Sequence, residues 1–179
     1  MPNLRFAPLL AAAGMVTAGS CARAADAPAG WGPLEYLVGE WTGEGGGGPG
    51  QGGGSFSFRP DLQGKILVRK NRAEYPATKD RPAFVHEDLM VVYRETPETA
   101  LHAIYFDSES HTIRYEVQGR PDGGEVVFVS GLEQAAPRYR LTYSRVDQDR
   151  VKIKFEIAPP GKPDQFAAYI EAGARRISK

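Results

Sequence analysis

The feature that most constrains the fold of this 179-residue chain is a strict alternation of apolar and polar residues. From Val151 to Ile157, apolar side chains alternate with two lysines and a glutamate, and Tyr139 to Tyr143 repeats the pattern with one arginine and one threonine. A period of two places every second side chain on the same face, so these segments are predicted to be half-buried strands. Turn-forming residues separate them from eight further strands, which begin at Trp41 and Ser55 or cover residues 65–75, 84–93, 101–107, 111–117, 125–130 and 166–177.

About ten strands with short connections and almost no helix favour a β-sandwich or a β-barrel. A closed barrel leaves no exposed strand edge, which suits a chain that cannot rely on disulfide bonds. We therefore predict an all-β fold, a single antiparallel up-and-down β-barrel of about ten strands over residues 33–179.

The stretch from Pro33 to Gly45 predicts how this barrel begins. Proline suits the first position of a helix, and Leu34 and Leu37 lie three residues apart, so that one turn presents one apolar face. Gly39 follows, where glycine commonly ends a helix, and Trp41 then lies in an alternating segment. We expect a short N-terminal helical turn that plugs one end of the barrel.

The first 24 residues are predicted to be a signal peptide. The apolar run from Phe6 to Ala18 is too short to span a bilayer and follows a positively charged start. Cleavage after Ala24 is favoured by the A-x-A motif, whereas lipidation of Cys21 is an alternative that lacks the expected upstream leucine. Residues 25–32 form a predicted flexible tether, and the expected location is periplasmic or secreted.

Charge and cysteine content exclude several functions. Removal of residues 1–24 lowers Lys+Arg from 22 to 20 and leaves Asp+Glu at 22, which gives a net charge of −2. Without a basic excess, nucleic acid is not an expected partner. No cysteine remains for disulfide or thiolate chemistry, and no second apolar run approaches the length of a membrane span. The oligomeric state stays open.

Nine of the twelve residues from Gly43 to Gly54 are glycine, and they include a G-x-G-x-x-G pattern at Gly43, Gly45 and Gly48. In a dinucleotide site this pattern precedes a helix, whose N-terminus receives the pyrophosphate. Here an alternating segment, Ser55 to Arg59, follows instead. The segment is therefore predicted to be a loop at the barrel mouth.

Together with the ten-strand rhythm, the motif Gly39-Glu40-Trp41 and the terminal pair Arg175-Arg176 resemble the calycin (lipocalin-like) superfamily. Within it, the chain is most similar to nitrobindin-like barrels and to uncharacterised secreted bacterial barrel proteins. The resemblance covers nearly all of the chain after the signal peptide. It implies that Arg175 or Arg176 packs over Trp41, where a guanidinium stacks on the indole.

The resemblance also implies a haem site held by a histidine close to the last strand. This chain has only His86, His102 and His111, and none of them lies there. Tyr143, Tyr169 or one of these histidines could substitute as an axial ligand. No cofactor is predicted, and a haem-binding nitrobindin-like protein is kept as an alternative.

His86 and Asp88 are predicted to share one face of their strand with Met90, and this face is expected to be inside the barrel. A histidine beside a carboxylate could act as a general base with a raised pKa. The alternative is a polar pair near the rim that bonds to a neighbouring strand. No nucleophile accompanies the pair, so no catalytic residue is assigned.

The phase of the strand over residues 65–75 is ambiguous, because both of its faces begin with apolar residues. If Leu67 faces inward, Arg69 and Asn71 do so too and could meet Asp88 or an anionic ligand. In the opposite phase Lys70 would lie inside instead. Both alternatives stay open, as does a solvated face on a charged strand.

Asp107, Glu109 and His111 surround a predicted hairpin turn at a spacing that could ligate Zn²⁺ or Mn²⁺. Turns also favour Asp because its side chain bonds to its own backbone. No Cys/His pair lies elsewhere at a ligand spacing, so no metal is predicted.

Tyrosines on the predicted inner faces combine burial with a hydroxyl that can orient a ligand. The function expected from the fold is an exported carrier or sensor for a small hydrophobic or amphipathic molecule. The alternatives are the haem protein and a small barrel enzyme with His86 and Asp88 as an acid-base pair. The predicted ligand-binding residues are Arg69, Asn71, His86, Asp88, Met90, Tyr105, Tyr115 and Tyr143.

Overall fold

The computed structural model describes residues 30–45, 53–79, 82–96, 98–133 and 135–179. The predicted signal peptide, most of the predicted tether and the centre of the glycine-rich segment lie outside these ranges. A 3₁₀ helix over Gly32–Leu37 precedes ten strands. The strands are β1 (Gly39–Glu44), β2 (Gly53–Asp61), β3 (Ile66–Tyr75), β4 (Phe84–Tyr93), β5 (His102–Asp107), β6 (Thr112–Gly119), β7 (Glu125–Ser130), β8 (Arg138–Arg145), β9 (Arg150–Ala158) and β10 (Ala167–Ser178).

The strands form one closed, antiparallel, up-and-down barrel. Each strand pairs with its neighbours in the sequence, and β10 pairs with β1 to close the sheet. The last strand, β10, is irregular at two points, at Ile177 opposite Glu40 and Trp41 of β1 and at Tyr169 opposite β9. Such bulges bend a strand and increase its twist, which helps a sheet to close. The predicted all-β barrel is confirmed, and its shape is that of a calycin-like barrel in general.

The alternation in the sequence becomes a row of inward side chains across neighbouring strands. Phe128 on β7 lies opposite Leu141 on β8, which in turn lies opposite Phe155 on β9. Phe128 and Leu141 are buried, and Phe155 packs against the same core. Burial of such side chains is the main source of stability for a barrel without disulfide bonds.

The 3₁₀ helix plugs one end of the barrel, as predicted. Its Leu34 and Leu37 are fully buried in the core. The Tyr36 hydroxyl donates to the backbone oxygen of Tyr143 on β8 at 2.8 Å, which ties the helix to the wall. Trp31, just before the helix, is also buried, and its backbone N–H donates to the Glu35 carboxylate at 3.0 Å.

Arg176 on β10 joins the plug to the first strand. Its guanidinium lies 4.2 Å from the centre of the Trp41 ring and donates to the backbone oxygens of Tyr36 and Val38, each at 2.6 Å. The Trp41 Nε1–H donates to the backbone oxygen of Leu37 at 2.8 Å. The predicted arginine–tryptophan contact is confirmed, and Arg176 rather than Arg175 makes it.

Gly39 does not end the helix in the left-handed conformation that the sequence suggested. Its φ is +125°, and a Cβ there would overlap the backbone oxygen of Ser178 on β10. Glycine is needed because two closing strands approach closely, which no larger residue allows.

The glycine-rich segment leads directly into β2, so the helix that a dinucleotide site requires does not follow it. Across the described ranges, no helix is both long and apolar enough to cross a membrane.

Candidate functional site

A cluster of polar side chains, the inner polar group, lies on the inner face of the barrel away from the plugged end and consists of Arg69, Asn71, His86 and Asp88. Leu67 is fully buried, which sets the phase of β3 and turns Arg69 and Asn71 inward. Lys70 therefore faces outward, and the ambiguity left by the sequence is resolved. The inner face carries all eight residues predicted to bind a ligand: Arg69, Asn71, His86, Asp88, Met90, Tyr105, Tyr115 and Tyr143.

Arg69 and Asp88 form a buried ion pair. The Arg69 Nη1 group donates to Asp88 Oδ1, and the side chains are only 8% and 4% exposed. Asn71, directly opposite Asp88, donates from Nδ2 to Asp88 Oδ2 at 2.8 Å. A buried carboxylate needs such partners, because its transfer from water is otherwise very costly. Burial opposes the charge of Arg69, but the Asp88 carboxylate prevails and raises the pKa of Arg69.

Two buried polar atoms beside this pair have no hydrogen-bond partner of ordinary geometry among the described residues: Arg69 Nε and the Tyr143 hydroxyl. The two side chains are nevertheless close to each other. Burial raises the pKa of Tyr143 to about 12, against the charge of Arg69 and a side-chain hydrogen bond from it. Tyr143 therefore stays neutral, and its hydroxyl can donate. Native interiors rarely leave such atoms without a protein, water or ligand partner.

His86 lies between three oxygen-bearing groups. Its Nε2 is 3.2 Å from the Tyr105 hydroxyl and 3.4 Å from Asp88 Oδ2, and its Nδ1 is 3.0 Å from Glu109 Oε1. The hydrogen bond with Asp88 is the main cause that raises the pKa of His86 to about 9, against the effect of burial. At neutral pH the ring is an imidazolium, which donates hydrogen bonds and has no lone pair to accept a proton.

This charge state bears on the acid-base alternative. The inward orientation that the alternative required is present, since His86 and Asp88 both lie inside. With its pKa raised to about 9, His86 is mostly protonated at neutral pH, so it suits a hydrogen-bond donor or a general acid better than a general base. The arrangement is better suited to holding a negative group than to abstracting a proton.

Asp107 organises the turn between β5 and β6. Its Oδ1 accepts from the backbone N–H groups of Glu109 at 3.0 Å and His111 at 2.9 Å, and its Oδ2 lies 2.9 Å from His111 Nδ1. Burial opposes ionisation, but the hydrogen bonds from His111 and Glu109 prevail and lower the pKa of Asp107. The carboxylate thus caps its own turn, which is the role that aspartate commonly has there.

The metal alternative finds no support in this turn. Within the described ranges, no group of three or more His, Cys, Asp or Glu side chains could hold a metal ion. The Tyr105 hydroxyl, whose pKa is raised mainly by burial, donates to Asp107 Oδ2 at 3.3 Å. Tyr105 therefore links the turn to His86 and the buried ion pair.

Met90, Tyr115 and Tyr143 lie deeper than the other predicted residues. All three belong to the core, and the Tyr115 ring contacts the rings of Tyr105 at 6.4 Å and Phe128 at 6.1 Å. They border the polar group from the apolar side.

Two aromatic groups near the open rim were not assigned to the site from the sequence. Tyr75 stacks on Phe84 at 4.5 Å, and Tyr139 stacks on Phe155 at 6.0 Å. Tyr169 meets Phe155 edge-on and is 68% exposed. The phase of β8 and β9 could have indicated Tyr139 and Phe155. Glu109 was not expected beside His86, because no periodicity connects a turn residue to a distant strand.

Open grooves also lie outside the barrel. One of about 690 Å³ runs over outward residues such as Ser57, Lys70 and Leu89 and reaches the exposed Phe106. Another, of about 630 Å³, lies over β7–β9. In that groove Phe166 packs 4.1 Å from the Arg140 guanidinium. The first groove is also lined by Asn71, Asp88 and Asp107, so it adjoins the inner polar residues, whereas the lining of the second includes none of them.

The histidines are not placed as the haem alternative requires. His86 alone of the three faces the interior, and both of its nitrogens contact side-chain oxygens. His102 lies on the outer face near Tyr93, and His111 is bound to Asp107. Tyr169 is exposed rather than turned into the barrel.

The sequence matches no family model and no curated protein. The resemblance to nitrobindin-like proteins therefore stays a resemblance.

Proposed function

We propose that this protein is a carrier or sensor that binds a small amphipathic molecule in the open half of its barrel. One observation carries the proposal: Arg69 Nε and the Tyr143 hydroxyl are buried without a partner among the described residues. Even a hydrogen bond from Arg69 to Tyr143 would leave the Tyr143 O–H without an acceptor, which a ligand group can supply.

The surroundings of these donors support an amphipathic ligand. Aromatic rings line the inner face toward the rim, including Tyr105, Tyr139 and Phe155, and only a few polar groups interrupt them. Small-molecule sites in proteins are mostly apolar, with few polar groups that fix the orientation of the ligand. Barrels of about this strand number can hold one small ligand.

Titration with N-phenyl-1-naphthylamine, an uncharged fluorescent probe, tests the proposal. We expect a saturable rise in fluorescence with one probe per chain. The double variant Tyr139→Ala/Phe155→Ala should weaken binding about fivefold or more, because it removes two rings from the inner rim. Phe106→Ala is the matched control, since Phe106 is an exposed aromatic residue on the outer face.

Absence of saturable binding would contradict the proposal. An equal loss in Phe106→Ala would contradict it as well, because the probe would then occupy the outer groove.

The proposal includes export and kinship with calycins. Export is supported by the signal-peptide pattern in residues 1–24 and kinship by the Arg176–Trp41 contact. The intact mass of the protein recovered from a periplasmic fraction tests export. A chain that begins at Ala25 is the expected result, a lipidated Cys21 would support the alternative, and an uncleaved chain in the cytoplasm would refute export.

A further inference from the structure

The two cations of the inner polar group, Arg69 and His86, face carboxylates that differ in exposure. Asp88 contacts both cations, Arg69 by an ion pair and His86 at 3.4 Å. Asp107 is another buried carboxylate, 5% exposed, and it is bound within its own turn. His86 also has a second anion as a direct partner, and this one is exposed.

That second anion is Glu109, in the turn between β5 and β6. Its carboxylate lies 3.0 Å from His86 Nδ1, but its side chain is 54% exposed. Exposed ion pairs contribute little, because water solvates both charges and the side chain must be held in place. Asp88, at 4% exposure, has no comparable freedom to leave.

Other groups near His86 do not compete for this role. From β3, Arg69 adds positive charge and Asn71 is neutral. From β5, the Tyr105 hydroxyl is neutral, and Asp107 is already bound by His111 and by backbone N–H groups. The side of His86 that Glu109 occupies is therefore the place where an incoming anion finds a donor.

We infer that the ligand carries an acidic group, which binds His86 in place of Glu109. This inference rests on the proposed function, because it concerns the ligand of the same inner site. The ligand class is an amphipathic anion, such as an aromatic or aliphatic carboxylate, sulfonate or phosphate. A cationic ligand could not replace Glu109, because it offers no acceptor to the His86 ring.

A pair of probes with the same aromatic body separates the inference from the proposed function. 1-Anilinonaphthalene-8-sulfonate carries one negative charge, and N-phenyl-1-naphthylamine carries none. At pH 7 we expect the wild-type protein to prefer the sulfonate by about tenfold, the usual effect of one charge-assisted hydrogen bond. His86→Gln should abolish this preference, because it weakens the binding of the sulfonate about tenfold more than the binding of the uncharged probe.

Glu109→Gln should have the opposite effect of His86→Gln, because it removes the competing carboxylate. We expect a several-fold tighter binding of the sulfonate and no change for the uncharged probe. Glu87→Gln is the matched control, since it removes a negative charge on the outer face of the same strand as His86. The preference for the sulfonate should also fall as the pH rises through about 9, where His86 loses its proton.

The outcomes are distinguishable. If neither probe binds, the proposed function fails. If the uncharged probe binds and the sulfonate is not preferred, or if His86→Gln keeps the preference, the inference fails and the proposed function stands.

Discussion

Two arginines in this barrel each meet an aromatic ring, and they work in opposite ways. Arg176 at the plugged end stacks on Trp41 and donates to two backbone oxygens of the plug, while its carboxylate neighbour, Asp149, is exposed. Arg69 on the inner face lies 5.6 Å from the Phe56 ring and is neutralised by the buried Asp88. Arg176 therefore binds the main chain of the plug as a clamp, whereas Arg69 places a paired charge inside the barrel.

The difference appears in the direction of the pKa shifts. Burial lowers the pKa of Arg176, because Asp149 compensates it only in part. The pKa of Arg69 is raised despite burial, because Asp88 is close and also buried. The Arg176 guanidinium is satisfied by backbone carbonyl oxygens, whereas the Arg69 guanidinium is satisfied by a carboxylate counter-ion. Only the surroundings of Arg69 are therefore suited to a polar ligand.

The largest expected effect comes from Asp88→Ala, which leaves Arg69 buried without its counter-ion. We expect a loss of about 3 to 5 kcal/mol in the free energy of unfolding, measured by urea denaturation. The double variant Arg69→Met/Asp88→Leu should recover most of this loss, because it removes both charges. A double variant as unstable as the single one would show that the pair stabilises the fold beyond charge balance.

Arg176→Ala tests the clamp at the other end. Loss of the hydrogen bonds from a charged donor to the Tyr36 and Val38 oxygens should cost about 2 to 3 kcal/mol. Tryptophan fluorescence should change with it, because the guanidinium leaves the Trp41 ring. Arg175→Ala, an exposed neighbour on the same strand, should stay within about 0.5 kcal/mol of the wild type. Equal effects in the two variants would contradict the assigned clamp.

The pH dependence of stability tests the charge on His86. Its folded-state pKa of about 9 exceeds the unfolded value of 6.5, so its contribution is fully present below pH 6.5 and is lost as the pH rises through 9. After allowance for partial solvent screening, we expect a decrease of about 1 to 2 kcal/mol over this range. His86→Gln should flatten that part of the profile, and an unchanged slope in the variant would assign it to other groups.

The smallest effect is expected from Tyr143→Phe. Its hydroxyl is buried without a partner among the described residues, so its removal should leave stability unchanged or raise it by up to about 1 kcal/mol. Affinity for the sulfonate probe should fall if that hydroxyl receives the ligand. A clear loss of stability would instead indicate that the hydroxyl already has a partner, such as a bound water.

Much of the fold could be predicted from local patterns. Residue spacing alone predicted the strands β8 and β9 and the apolar face of Leu34 and Leu37 in the plug. The terminal arginine was predicted from its place in the calycin-like sequence pattern. The reason predicted for Gly39 was wrong. Glycine is required there because the backbone of Ser178 approaches closely, and Ser178 is 138 residues from Glu40, the neighbour of Gly39.

The inward placement of the predicted residues followed from periodicity, whereas the contacts between them did not. His86 and Asp88 share a face by periodicity, and the structure resolved the phase of β3 because the buried Leu67 requires it. The contact of His86 with Glu109 and the missing partners of Arg69 Nε and the Tyr143 hydroxyl could not be foreseen. They depend on how three strands and a turn meet.

From the sequence alone, strand number, alternation and the helical plug follow, because a residue's nearest neighbours along the chain specify its periodicity and turn chemistry. Folding into a closed barrel adds what those neighbours cannot contain: which of two faces is inside, and which charges face one another. The cluster of Arg69, His86 and their carboxylates arises only when β3, β4 and the β5–β6 turn are brought together, since charge balance is a property of a volume and not of a strand.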